Sequence, residues 1–180
     1  MSRVFNIEPV SVIITGGTLD KVHDTVTESI VLDGDTRVPD IFDQGRTKIS
    51  RFENLMQIDS LDMTDTHRAQ LLKAVQSAPE NRLLITHGTG TMELTAKALD
   101  GKVGQKTVVL TGAMRPWCIG RSDANFNIGG GLIAARILPA GVYGVMNGRV
   151  FAAQDLNKNT ETGRFDSVSY THLRAHETLR

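Results

Sequence analysis

Hydroxyl side chains and glycines follow three apolar runs of this 180-residue chain in the same order. The runs end in TGGT at 15–18, THGTGT at 86–91 and TGAM at 111–114. A threonine hydroxyl becomes a nucleophile when a neighbouring base takes its proton, and glycines let a carbonyl group approach backbone N–H donors. The pattern therefore favours acyl transfer from an amide or ester. Threonines and glycines that merely end strands are an equally good interpretation of the pattern alone.

Several other kinds of chemistry lack their motifs in this sequence. There is no G-x-x-x-x-G-K-[ST], and TGGT lacks the spacing of G-x-G-x-x-G, so we expect neither a P-loop nor dinucleotide binding. Neither H-E-x-x-H nor a pair of C-x-x-C motifs occurs, so we expect no metal site and no cofactor. His172 and His176 have an i, i+4 spacing, but they lie in a C-terminal segment of doubtful origin.

Composition narrows the range of partners and compartments. The 20 lysines and arginines balance 20 acidic residues, so no basic field favours nucleic acid or an anionic membrane. No apolar run has the length of a membrane span, and the N-terminus shows no signal-peptide pattern. The single cysteine, Cys118, suits a reducing compartment. We therefore expect a cytoplasmic protein whose partner is a small molecule.

Strand-like and helix-like segments alternate along the chain, and Asn147-Gly148 is a favoured two-residue hairpin turn. The alternation predicts an α/β fold: a layered, mostly parallel sheet flanked by helices, with a C-terminal β-hairpin. Ligands of such sheets bind at the carboxyl ends of the strands, so the polar loops should converge on one face. The predicted strands are 10–15, 54–59, 82–86 and 107–111, the helices 39–45, 65–78, 92–100 and 127–138, and the hairpin 142–153.

Four motifs in order resemble the bacterial-type L-asparaginase family: TGGT at 15–18, DSLDMTD at 59–65, ITHGTGTMELTA at 85–96 and VVLTGAMRP at 108–116. The similarity extends to about residue 165 and is strongest to short members, which consist of the N-terminal catalytic domain alone. It implies an amidohydrolase that converts L-asparagine to L-aspartate and ammonia, with glutamine as an open alternative. We also expect a homo-oligomer.

The resemblance implies roles for individual residues. Thr18 matches the primary nucleophile, Thr89 the second catalytic threonine, and Lys158 the lysine that is coupled to this threonine as a proton acceptor. Ser60 matches a residue that holds the α-carboxylate of the substrate, and Gly88 lies within the same substrate-binding motif.

The sequence departs from the family pattern at two places. Gly90 stands where the family has an aspartate that binds the α-ammonium of the substrate. A weak asparaginase, a module that binds an amino acid without turnover, and an anion-binding domain all stay open. The segment DKVHDTVTESI, at 20–30, follows the first strand and corresponds to a lid in the long members. It lacks their tyrosine, so we consider Thr25 or Thr27 in its place. For His87 a structural role is favoured.

The C-terminal segment SVSYTHLRAHETLR, at 167–180, resembles translated adapter sequence more than any part of the family. We therefore expect a catalytic domain of the asparaginase N-terminal type at 1–166. The segment 167–180 is then a non-native or disordered tail, whose histidines have no function.

Overall fold

The computed structural model describes residues 8–166, and within them the chain forms eight strands. The strands are β1 (Val10–Ile14), β2 (Val22–Asp24), β3 (Ser29–Val31), β4 (Arg51–Asn54), β5 (Arg82–Thr86), β6 (Thr107–Thr111), β7 (Gly141–Met146) and β8 (Arg149–Ala152). Six of them form one sheet in the order β4-β1-β5-β6-β7-β8, with β2 and β3 as a separate antiparallel pair. Only the last pair of the large sheet, β7 with β8, is antiparallel. The predicted α/β class and C-terminal hairpin are confirmed.

Helices cover both faces of the large sheet. They are α1 (Val38–Gln44), α2 (Asp65–Ser77), α3 (Met92–Leu99) and α4 (Ala124–Ile137). Successive strand residues point to opposite faces, so Ile13 packs with α2 and α3, whereas Val12 and Ile14 pack with α1 and α4. Because both faces are covered, the central strands read as continuous apolar runs rather than as alternating ones.

Local residues account for one helix start and one turn. Thr64 caps α2, where its hydroxyl accepts the N–H of His67. Asn147 and Gly148 have φ angles of 54° and 73°, as a two-residue turn between antiparallel strands requires.

The predicted strand at 54–59 is wrong, because the strand is β4 and ends at Asn54. Beyond it, the N–H groups of Leu55 and Met56 both donate to the carbonyl of Ile14, at 3.0 and 3.3 Å, and the regular ladder stops. β4 lies at the sheet edge and alternates half-buried with exposed residues, so its charged sequence does not resemble a buried strand.

Two further boundaries differ from the prediction. Helix α4 starts at Ala124 rather than at 127, where the side chain of Asp123 accepts the N–H groups of Met114 and Arg115. The segment after β1, for which the sequence predicts no strand, contains the β2–β3 hairpin. Its turn is closed by Asp24, which accepts the N–H of Val26 and the hydroxyl of Thr27.

The described part of the chain contains no helix that is both long and apolar enough to cross a membrane. The predicted tail at 167–180 lies outside the described residues, so its assignment stays a prediction.

Candidate active site

The register of the parallel strands brings the polar loops to one edge of the sheet. Ile14 pairs with Asn54 on one side and with Thr86 on the other, and Thr86 pairs with Thr111. The loops after β1, β4, β5 and β6 therefore begin at the same level. This common edge is where α/β sheets bind their ligands.

The first threonine of each motif serves the sheet. Thr15, Thr86 and Thr111 are fully buried. The hydroxyl of Thr15 donates to the carbonyl of Thr86 at 2.8 Å, and that of Thr111 donates to the carbonyl of Val145 at 2.8 Å. The interpretation as strand-ending residues therefore holds for Thr15 and Thr111, whereas the buried hydroxyl of Thr86 has no hydrogen-bond partner within residues 8–166. The candidate chemistry is left to the later threonines.

The Thr18 loop and the Thr89 loop touch through their backbones. Gly17 has a φ of 90°, and a methyl group placed on it would lie 2.4 Å from the nitrogen and the Cα of Gly88. Only glycine at position 17 allows this approach. Thr18, half-buried, opens the short 3-10 turn Thr18–Asp20 directly after this contact, next to the loop that carries Thr89.

Lys158 reaches Thr89 across the site. Its Nζ lies 3.0 Å from the Thr89 hydroxyl, which is 4% exposed. The lysine comes from the segment after β8, and the threonine from the loop after β5. Spacing alone gives no signal for this pair, because 69 residues separate its members.

Ser60 fits closely against the loop that bears Gly88 and Gly90. The N–H of Gly90 donates to the Ser60 hydroxyl at 3.0 Å, and the hydroxyl of Thr91 donates to the Ser60 carbonyl at 2.6 Å. A methyl group on Gly88 would lie 2.6 Å from the Ser60 side chain. Gly88 is thus required by the close approach of two loops.

Gly90 has an ordinary backbone conformation, because it is not among the described residues with positive φ. A methyl group there would lie 2.8 Å from Leu61 Cδ2 and 3.0 Å from the Ser60 hydroxyl. Leu61 is 75% exposed, so its side chain can turn away. The backbone therefore accepts a side chain at position 90, provided that Leu61 turns away and the Ser60 hydroxyl shifts by a few tenths of an ångström.

His87 supports the Thr89 loop from beneath. Its Nδ1 donates to the carbonyl of Gly88 at 2.7 Å, and its Nε2 lies 3.1 Å from the sulfur of Met63. Burial lowers the pKa of His87 to about 4, although the hydrogen bond to the Gly88 carbonyl acts in the opposite direction. The ring is neutral near pH 7, and these contacts favour the structural role.

Asp20 is a site-adjacent residue that the sequence analysis missed. It is fully buried and accepts the N–H of Arg37 at 2.8 Å, the hydroxyl of Thr36 at 3.0 Å and the Nε2 of Gln57 at 3.4 Å. Desolvation raises the pKa of the carboxyl group despite these donors. The carboxylate closes the base of the lid, defined here as residues 21–37, against the turn of Thr18. Its partners lie far along the chain, so no local pattern identifies it.

A cleft of about 410 Å³ lies between the lid and the loop that precedes Ser60. At its edge, Lys21 forms a 2.5 Å ion pair with Asp59, and this hydrogen bond lowers the pKa of the Asp59 carboxyl group. Thr27 donates to Asp24 and lies within hydrogen-bond distance of Ser29, so its hydroxyl is occupied inside the hairpin. The residues that line the cleft are Lys21, Ile30, Val31, Leu32, Gln57, Ile58, Asp59 and Asp62.

A parallel sheet with hydroxyl-bearing loops and a lysine at one edge defines the chain as an α/β domain with a candidate ligand site at the strand ends. The chain belongs to the asparaginase family, because the family model described as "Asparaginase, N-terminal" matches residues 9–178. This finding confirms the resemblance that the four motifs indicate.

Individual relatives agree with this assignment. The chain is 33% identical to L-asparaginase 2 of Escherichia coli K12, over 91% of this chain and 51% of that protein. It is 31% identical to a probable periplasmic L-asparaginase of Haemophilus influenzae, over 96% of this chain and 53% of that protein. The crystal structure of a probable cytoplasmic L-asparaginase from Campylobacter jejuni superposes with a TM-score of 0.74 at 26% identity, covering 89% of this chain and 53% of that one. The chain spans about half the length of the curated relatives it matches.

Proposed function

We propose that this chain is an amidohydrolase that converts L-asparagine to L-aspartate and ammonia through a threonine acyl-enzyme. The observation that carries the proposal is the 3.0 Å contact between Lys158 and Thr89, on the loop whose backbone touches the Thr18 loop. A nucleophile, a second hydroxyl and an amine at one strand edge are the groups that such a reaction needs.

In the first step, the Thr18 hydroxyl attacks the side-chain amide carbon of asparagine. The carbon–nitrogen bond breaks, the proton of the hydroxyl leaves with the nitrogen as ammonia, and a β-aspartyl ester on Thr18 is formed. The N–H groups of Thr18 and Thr89 donate to no acceptor within residues 8–166, so they are available to the developing oxyanion.

In the second step, water attacks the ester and releases aspartate. The water gives a proton to the Thr89 hydroxyl, which passes its own to the amine of Lys158. As the ester bond breaks, Lys158 returns this proton through Thr89 to the leaving Thr18 oxygen, so that all three groups regain their starting states. Hydrogen-bond reach between base and hydroxyl is the geometric requirement for this transfer. Ser60, held by Gly90 and Thr91, orients the α-carboxylate of the substrate.

Ammonia release from asparagine tests the proposal, together with calorimetric titration of the same amino acid. Release that depends on chain concentration supports the hydrolase. Heat of binding without release would instead identify a module that holds an amino acid, an alternative that Gly90 favours because it removes a charge from the site. A chain that shows no heat of binding and releases no ammonia would contradict both functions.

The proposal includes self-association and a cytoplasmic location. Helix α4 exposes Phe126, Ile133 and Ile137 at 67%, 53% and 72%, and an uncharged helix face of this kind is usually covered. Light scattering of the purified chain should give a mass above that of one copy.

One relative is periplasmic by name and one structural neighbour is cytoplasmic by title, so cell fractionation decides between the two compartments.

A further inference from the structure

Lys158 is held in place by its backbone rather than by its side chain. Within residues 8–166, the only group that its Nζ contacts by a hydrogen bond is the Thr89 hydroxyl. The backbone at Lys158 belongs to a short ribbon, defined here as residues 157–166, in which Lys158 pairs antiparallel with Phe165. The position of the amine therefore depends on what fixes Phe165.

Two contacts fix Phe165. Its side chain is 1% exposed and packs in the core on the side of α2 and α3. Its N–H donates to Oδ1 of Asn147 at 3.0 Å. Asn147 is the first residue of the β7–β8 turn, so the turn extends its side chain onto the ribbon that bears the lysine.

Asn147 is in turn held by Asn127, a residue of α4 that is 1% exposed. The N–H of Asn147 donates to Oδ1 of Asn127 at 3.2 Å, and Nδ2 of Asn127 donates to the carbonyl of Gly112 at 2.9 Å. A methyl group on Gly112 would lie 2.2 Å from the carbonyl oxygen of His87, two residues before Thr89. The buried side chain of Asn127 thus supports both members of the Lys158–Thr89 pair. On one side it holds Asn147 and, through it, the ribbon of Lys158. On the other side it holds Gly112, which packs against the loop of Thr89.

We propose that the Asn147 side chain, backed by Asn127, is the positioning residue that sets Lys158 within reach of Thr89. This inference rests on the proposed hydrolase function only for its kinetic consequence. The structural consequence, a ribbon loosened at Phe165, holds for any function of the site. A misplacement of about 1 Å can reduce the rate of a positioned reaction by about a hundredfold.

The turn offers a matched set of variants. Asn147→Gly keeps a residue that favours a φ of 54° and removes the acceptor for Phe165. Asn147→Asp keeps an acceptor oxygen at an exposed position and tolerates the same backbone angle. Arg149→Gln is the control, because it removes the half-exposed ion pair with Asp166 in the same ribbon, and an ion pair of this kind contributes little to holding the chain in place.

We expect Asn147→Gly to lower kcat about tenfold to a hundredfold while the KM for asparagine stays within about twofold, because Ser60 and its partners are untouched. Asn147→Asp should recover most of kcat, and Arg149→Gln should keep the parent kcat. Loss of kcat in Asn147→Asp equal to that in Asn147→Gly would overturn the proposal. So would an Arg149→Gln variant that is as impaired as Asn147→Gly.

Hydrogen–deuterium exchange separates this inference from the proposed function. The Phe165 amide should exchange at least tenfold faster in Asn147→Gly than in the parent and in Asn147→Asp, with the central strands β1 and β5 unchanged. Equal protection of Phe165 in all three chains would overturn the inference whether or not the parent releases ammonia. If the parent chain releases no ammonia but Phe165 exchanges faster in Asn147→Gly, the hydrolase function is rejected and the positioning role of Asn147 is kept.

Discussion

The two sides of the site differ in how the fold holds them. Thr89 and Lys158 form a partly buried contact supported by His87 below and by the Asn147 turn behind. Thr18 is instead followed by the lid, a pair of three-residue strands whose turn residue Val26 is 89% exposed. Packed interiors keep one geometry, while segments with few buried contacts open most easily. The side formed by Thr89 and Lys158, called the fixed side below, is suited to proton transfer. The side formed by Thr18 and the lid is suited to the entry of a substrate.

Within the fixed side, the largest effect is expected from Lys158→Met, which removes the amine and keeps most of the apolar chain of this residue. Loss of a positioned general base costs typically 10²–10⁴-fold in rate. Steady-state ammonia release should therefore fall by that factor in kcat, with an unchanged unfolding midpoint. A variant that keeps more than a tenth of the parent kcat would remove Lys158 from the chemistry.

Acidic pH should destabilise the folded chain through protonation of His87, which supports the fixed side. The pKa of this histidine lies at about 4 in the folded chain and near 6.5 when unfolded, so the unfolded chain binds the extra proton between these values. Stability should thus be full above pH 6.5 and fall by roughly 3 kcal/mol as the pH drops to about 4. The pKa of Asp20 is raised, because burial disfavours its charged form. Its contribution has the opposite sense, since stability is lost when this buried carboxyl group ionises as the pH rises.

Urea unfolding of the parent and of His87→Gln, at several pH values between 4 and 7.5, measures this contribution. The difference between the two chains should shrink as the solution becomes more acidic, because glutamine does not titrate. A difference that is constant over this range would show that His87 is not the group responsible.

Gly90→Asp sharpens the comparison by adding a charge where the Thr89 loop meets Ser60. A charge-assisted hydrogen bond to the substrate's ammonium contributes about 1.5–3 kcal/mol, which corresponds to roughly tenfold to a hundredfold in kcat/KM. The gain should come mainly from a lower KM, since the catalytic groups are unchanged.

The exposed Leu61 is the neighbour that must move to admit this aspartate. Gly90→Asn is the matched control, with the same size and no charge. Equal kinetics for the aspartate and asparagine variants would show that charge at position 90 does not matter.

The smallest effect is expected at the base of the lid. Asp20→Ala leaves the N–H of Arg37 and the hydroxyl of Thr36 without their acceptor, which should cost about 1 kcal/mol of stability. Exchange of the lid amides should accelerate more than exchange in the Thr89 loop. Equal acceleration in both would mean that the two sides of the site are not independently held.

Much of the fixed framework is predictable from the sequence, because apolar runs and the parallel arrangement determine which loops share an edge. That placement predicts that the loops of Thr18 and Thr89 lie together, but only the family resemblance singles out these two threonines among the hydroxyls of the loops. The hairpin turn follows from Asn147-Gly148. Lys158 is identified only by family resemblance, since an exposed loop lysine carries no local signal.

The lid, Asp20 and the edge strand β4 escape prediction for physical reasons. The β2–β3 strands are three residues long, which is too short for a period to show. The role of Asp20 depends on Thr36 and Gln57, which approach it only in the folded chain. Charged residues on the edge strand β4 likewise conceal it from a search for apolar runs.

The central claim is that Thr18 carries the acyl group, and acid quenching during turnover tests it most directly. Mass spectrometry of the quenched parent chain should find one aspartyl group on the peptide that contains Thr18 and none in Thr18→Ala. The same substitution should abolish ammonia release, with a loss on the order of 10⁶-fold, while the chain still folds. An aspartyl group on another residue, or a Thr18→Ala chain that keeps most of its activity, would contradict the account.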